Sequence, residues 1–121
     1  MDKRGGSLYL LIIILNKEEI LDDLLSILIE LGSTDITILE SQSMGELLAH
    51  RIPIFAGLRL QLGSKNIYSK TILAVSEDKN IGDKILHLLK DSDVGFGEGT
   101  GRIIVVKVDS VYGEPQLPDL E

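Results

Sequence analysis

The sequence contains no cysteine and no tryptophan. Disulfides, thiol nucleophiles and cysteine-bound zinc are therefore excluded as sources of stability or chemistry. Aromatic residues make up only 4% of the chain, too few to supply the stacking platforms that grip single-stranded nucleic acid. Twelve Lys and Arg stand against 19 Asp and Glu, for a formal charge of −7. Apart from Lys3-Arg4 the basic residues are scattered singly, so no stripe is present to displace counterions from phosphates. Nucleic acid is not an expected partner. Long apolar runs are lacking too. Leu8 to Leu15 is continuous, but a bilayer span needs about 20 residues. The run has no small-residue cleavage site and is followed at once by Asn16-Lys17-Glu18-Glu19, which argues against a signal peptide. No membrane span is expected, and the expected location is the cytoplasm.

What the chain has in quantity is aliphatic surface. Hydrophobic residues are 44% of the 121 residues, and the mean hydropathy is +0.20 despite a pI near 4.8. The length corresponds to one domain. A domain this small leaves much of its surface outward. The surplus of Leu, Ile and Val therefore points to apolar surface covered by other subunits, with a Leu-rich monomeric core as the alternative.

Residues 1–7, with Gly5-Gly6, read as a flexible leader. Leu8–Leu15 then predicts a central strand covered on both faces. Asn16 and Glu19 have the spacing of a capping box, and Glu18 and Glu19 suit the positive end of a helix dipole. Ile20, Leu21, Leu24, Leu25, Leu28 and Leu31 recur at helical spacing, with Gly32 placed to end the helix. Asp35–Ser41 predicts a second strand and Lys70–Ser76 a third. A second helix is expected from Ile81 to about Lys90, with Asn80 as its cap, and a last strand over Arg102–Val108. Between the second and third strands, Gln42–Ser69 is an excursion in which Pro53 to Gly63 has the marks of a short helix. The acidic tail, 114–121, contains Pro115 and Pro118. The order β-α-β-loop-β-α-β predicts an α+β fold of the ferredoxin-like βαββαβ type. Its four-stranded antiparallel sheet would carry both helices on one face, with the first and third strands central.

Two segments draw attention as candidate sites. Gly95-Phe96-Gly97-Glu98-Gly99-Thr100-Gly101 precedes the last strand, and closely spaced glycines let backbone N–H groups converge on an anion, with Arg102 adding charge. A flexible turn feeding an edge strand explains the same residues. It is neither a Walker loop nor a dinucleotide fingerprint, because a strand follows where both need a helix. The excursion, with Ile54, Phe55, Leu58 and Leu62 spaced like one helical face, is expected to dock on its own sheet or a neighbour. Arg51 and Arg59 are candidate anion contacts there. His50 and His87 share no metal-ligand spacing with each other or with acids. No serine or threonine comes with a base and an orienting partner. An enzyme is not expected; a small enzyme using His50 and Arg51 is the weakest of the readings.

Thr37-Ile38-Leu39-Glu40 leading to Gly45, and Gly99-Thr100-Gly101-Arg102-Ile103-Ile104-Val105-Val106-Lys107-Val108, give the chain a resemblance to the nitrogen regulatory protein P-II superfamily. The second stretch is similar to the Gly-Asp-Gly-Lys-Ile-Phe-Val pattern of those proteins. The resemblance spans residues 8–113, with 46–69 in the position of the T-loop. The pattern is not followed at Ser43 and Leu47, nor beyond the last strand, where Val111-Tyr112-Gly113-Glu114 carries no arginine. The resemblance implies a homotrimer that binds a small anionic effector, such as an adenine nucleotide, in clefts between subunits. It implies Gly45, Gly99, Thr100, Gly101 and Arg102 as effector-binding positions. It also implies a protein target reached through the excursion, where Arg51, Phe55 and Arg59 are candidate contacts. The alternative is a structural or protein-interaction trimer with no effector site.

Overall fold

The computed structural model describes residues 7–33, 35–42 and 68–114. Strand β1 (Leu8–Leu15) is followed by a 3-10 turn (Glu18–Ile20), helix α1 (Leu21–Glu30), strand β2 (Thr37–Glu40), strand β3 (Lys70–Ser76), helix α2 (Ile81–Asp91) and strand β4 (Gly101–Val108). The strands form one sheet in the order β2-β3-β1-β4, and every neighbouring pair is antiparallel. This is the ferredoxin-like α+β architecture, with β1 and β3 central as the two most continuously apolar strands required.

The helices cover one face of the sheet. Leu11, Ile13 and Leu15 of β1 and Ile72 and Ala74 of β3 are fully buried beneath Leu24 and Leu28 of α1 and Ile81, Ile85 and Leu89 of α2. The alternation of strand side chains sends Leu10, Ile12 and Ile14 to the opposite face. Cross-strand pairing extends that face sideways. Ile12 stands between Leu73 and Ile104, and Leu10 between Val75 and Val106. Ile104 and Val106 are 40% and 44% exposed, so among the described residues nothing covers this apolar surface.

Both helices end as backbone chemistry demands. After α1, Gly32 takes φ 92, its N–H donates to Ile29 O, and the Ser33 N–H reaches back to Leu28 O at 2.9 Å. That is the paired hydrogen-bond pattern of a Schellman termination. After α2 the same pattern uses Asp93 at φ 62, with the Asp93 N–H donating to Lys90 O and the Val94 N–H to Leu89 O.

The helix start differs from expectation. No capping box forms: the 3-10 turn opens after Lys17, and neither it nor α1 has a side-chain cap hydrogen bond. The cause is β1, which runs to Leu15 and keeps Asn16 tied to the chain before β4. The Asn16 N–H donates to Thr100 O at 2.8 Å. Asn80 does stand at the cap position of α2 but makes no side-chain cap bond. Instead the Asp78 carboxylate accepts from the Asn80 N–H at 2.8 Å. Strand β2 is also shorter than the predicted 35–41, because it pairs with β3 only from Thr37↔Leu73 to Glu40↔Lys70. Among the described residues, no helix is long and apolar enough to cross a membrane.

Candidate functional site

At one end of the sheet β1 and β2 finish while β3 and β4 begin, and a cavity of about 510 Å³ opens there. That volume lies within the roughly 300–1,000 Å³ of ordinary ligand pockets. Its geometry follows from the register. Ile14 pairs with Thr71 on one side and Arg102 on the other, so Thr71, Ile14 and Arg102 form a row across three strands. The row lies on the helix-free face, at the point where that face turns from aliphatic to polar.

The glycines shape the wall. Gly101 takes φ 148, and a Cβ there would overlap the Ile14 carbonyl oxygen and lie 3.2 Å from Leu15 Cα. Only a residue without a side chain lets β4 begin this close to the end of β1. Gly99 has φ 82 with open space around it. Between them the chain folds back on itself, with the Thr100 N–H donating to Gly97 O at 3.1 Å. Thr100 is fully buried, and its hydroxyl has no hydrogen-bond partner among the described residues.

The opposite wall comes from the residues that flank 43–67. Ser41 and Ser69 hydroxyls lie 2.7 Å apart, and the Ser41 N–H donates to Ser69 O at 3.3 Å. This clasp holds Ser41, Gln42 and Ser69 against the cavity, with Asn16 completing the lining. Just outside it, Lys70 Nζ lies 2.9 Å from Glu40 Oε1 and 5.9 Å from the centre of the Tyr68 ring. The hydrogen bond from Lys70 to Glu40 holds the Lys70 pKa above its ordinary value. Burial raises the Tyr68 hydroxyl pKa, and the neighbouring Lys70 charge opposes that shift.

Of the positions singled out in the sequence, Gly99, Gly101 and Arg102 line the cavity, whereas Thr100 packs behind it. Gly45, Arg51, Phe55 and Arg59 lie outside the described residues, as does His50. His87 is exposed on α2, with Nε2 3.3 Å from Asp91 Oδ2, and does not line the cavity. Sequence reasoning missed Asn16, Ser41, Gln42, Ser69 and Thr71. Their one signal was position: each is a polar residue at or near a strand end. Chemically the lining can neutralise an anion with Arg102 and exchange hydrogen bonds through hydroxyls, amides and backbone groups.

No protein-family model matches the chain, and no curated protein matches it. Among solved structures it is similar to CPII from Thiomonas intermedia K12, a P-II protein, in a structure bound to ADP and bicarbonate. The two are 17% identical over 84% of this chain and 86% of that one, with a TM-score of 0.50. A likeness at that identity is one of fold. The chain has a distant P-II-like fold.

Proposed function

We propose that this protein is a P-II-like regulatory module of the cytoplasm that binds a small anionic effector and carries out no catalysis. The observation that carries this reading is the cavity itself. It joins the Gly99–Arg102 turn to Ser41, Gln42 and Ser69, the residues on either side of the 43–67 segment. An occupant would touch the roots of the T-loop-like excursion, 46–69, and would bias the conformations available to it and to any protein target it engages. An adenine nucleotide is the effector class we favour, because the solved P-II structure with the same fold holds ADP.

The working unit in this reading is a homotrimer with the cavities in clefts between subunits. The aliphatic helix-free face, with Ile104 and Val106 exposed and Leu73 half-buried, supports the assembly, since surface of this kind is normally covered. The cavity sits at the polar margin of that face, where a neighbour would border it. The same face also favours a second reading, a purely structural trimer with no effector.

Native mass spectrometry with and without adenine nucleotides separates the two. A trimer that takes up as many as three nucleotides, and loses them on Arg102→Ala, supports the sensor. A trimer that takes up none supports the structural role, and a strict monomer refutes both.

A further inference from the structure

At the cavity the strands continue their pairing one step past the regular ladder. Glu40↔Lys70 is the last paired position of β2 and β3, yet the Ser41 N–H still reaches Ser69 O at 3.3 Å. Leu15 is the last position of β1, paired with Lys70 and Gly101, and the Asn16 N–H still reaches Thr100 O at 2.8 Å. Antiparallel register therefore sets Ser41, Ser69 and Asn16 side by side across the strand ends, and all three line the cavity. Ser69 stands at the centre of this row. It is 7% exposed, and its hydroxyl lies 2.7 Å from that of Ser41.

A single hydrogen bond between two hydroxyls uses one of their protons, so the accepting hydroxyl keeps a proton of its own to donate. It is also the stronger donor, because hydrogen bonds linked in a chain polarise one another. Resting on the effector reading above, we propose that Ser69 binds the effector directly, donating to one of its anionic oxygens while accepting from Ser41. The Ser41–Ser69 pair is then the element that carries occupancy of the cavity to both ends of the 43–67 segment. The long Ser41 N–H bond is the last rung of its ladder, and terminal rungs open at little cost. Opening it separates the two hydroxyls and weakens the donor that the effector uses. An occupant therefore favours the intact rung, because binding and rung formation are linked.

The test is amide hydrogen exchange of the full chain read by NMR, with ADP as the probe and its affinity measured by calorimetry. With ADP about a hundredfold above its Kd, the Ser41 amide is expected to exchange at least about tenfold more slowly than without it. The Asn80 N–H, held by Asp78 beyond the opposite end of β3, is the control and should not change. Ser69→Ala is expected to weaken ADP by about tenfold or more. It should also abolish the slowing at Ser41 when ADP is raised to the same multiple of the new Kd. Ser69→Thr keeps the hydroxyl and should retain both effects. If Ser69→Ala does not fold, the exchange of Ser41 in the unaltered chain decides. ADP binding that leaves Ser41 exchange unchanged, or that keeps its affinity and the slowing in Ser69→Ala, overturns this inference while leaving the effector reading intact. Failure of ADP to bind the unaltered chain overturns both.

Discussion

Gly101→Ala is the substitution with the clearest structural consequence. The backbone at this position has φ 148, and the added methyl would overlap the Ile14 carbonyl oxygen while lying 3.0 Å from its carbon. These obstacles are backbone atoms of the central strand, so no rotamer change relieves the clash. Holding a non-glycine residue at such a φ costs of order 1–3 kcal/mol. Displacing packed backbone costs about 1–3 kcal/mol more. The sum is about 2–6 kcal/mol, set against the roughly 5–15 kcal/mol that stabilises typical domains. Urea unfolding followed by circular dichroism reads it as a lower midpoint at unchanged slope. Gly97→Ala in the same turn is the control, because its Cβ meets nothing within 4 Å and its φ is unexceptional. That variant should be neutral, or more stable by up to about 1 kcal/mol through the unfolded chain. If Gly101→Ala matches Gly97→Ala within about 0.5 kcal/mol, the close approach of β4 to β1 is wrong and the cavity wall with it.

Asp93→Gly should stabilise the protein. Asp93 ends α2 at φ 62, a conformation glycine adopts freely, and its carboxylate sits at the negative end of the helix dipole. A gain of about 0.5–1 kcal/mol in urea unfolding is expected, and a loss would refute the assignment of Asp93 as the terminating residue. Asp78 supplies a pH signature. Its carboxylate accepts from Lys84 Nζ and from the Asn80 N–H, which holds its pKa below the ordinary 3.8. A depressed folded pKa means that its stabilising contribution is present above the unfolded value and is lost as pH falls through the folded one. An NMR titration should find Asp78 below 3.8 and moving upward in Lys84→Met. A midpoint at or above the ordinary value in the unaltered protein would refute the pairing.

Much of the fold was legible because hydrophobic period and strand length are local properties. β3 lies where the run Lys70–Ser76 predicted it, α2 extends the expected helix by one residue to Asp91, and β4 begins one residue before the expected Arg102, at Gly101. Gly32 ends α1 for a local reason as well, since a residue with positive φ is needed there. Asn16 shows where local reasoning fails. Its spacing to Glu19 is that of a cap, yet its backbone N–H is already engaged by Thr100, 84 positions away in the chain. A long-range hydrogen bond of that kind leaves no trace in local pattern.

The candidate site divides in the same way. Glycine spacing before a basic residue marked Gly99, Gly101 and Arg102, because backbone freedom and charge are visible one residue at a time. Ser41, Ser69 and Thr71 are ordinary polar residues until β2 pairs with β3 and β1 with both β3 and β4. The sequence by itself determined the element order, the apolar faces of the helices and strands, and the one basic group at the turn. The tertiary structure alone decided that four strand ends meet around a cavity and that the helix-free face is apolar and uncovered by any of the described residues. Both are consequences of register, which depends on which strands become neighbours rather than on what any one of them contains.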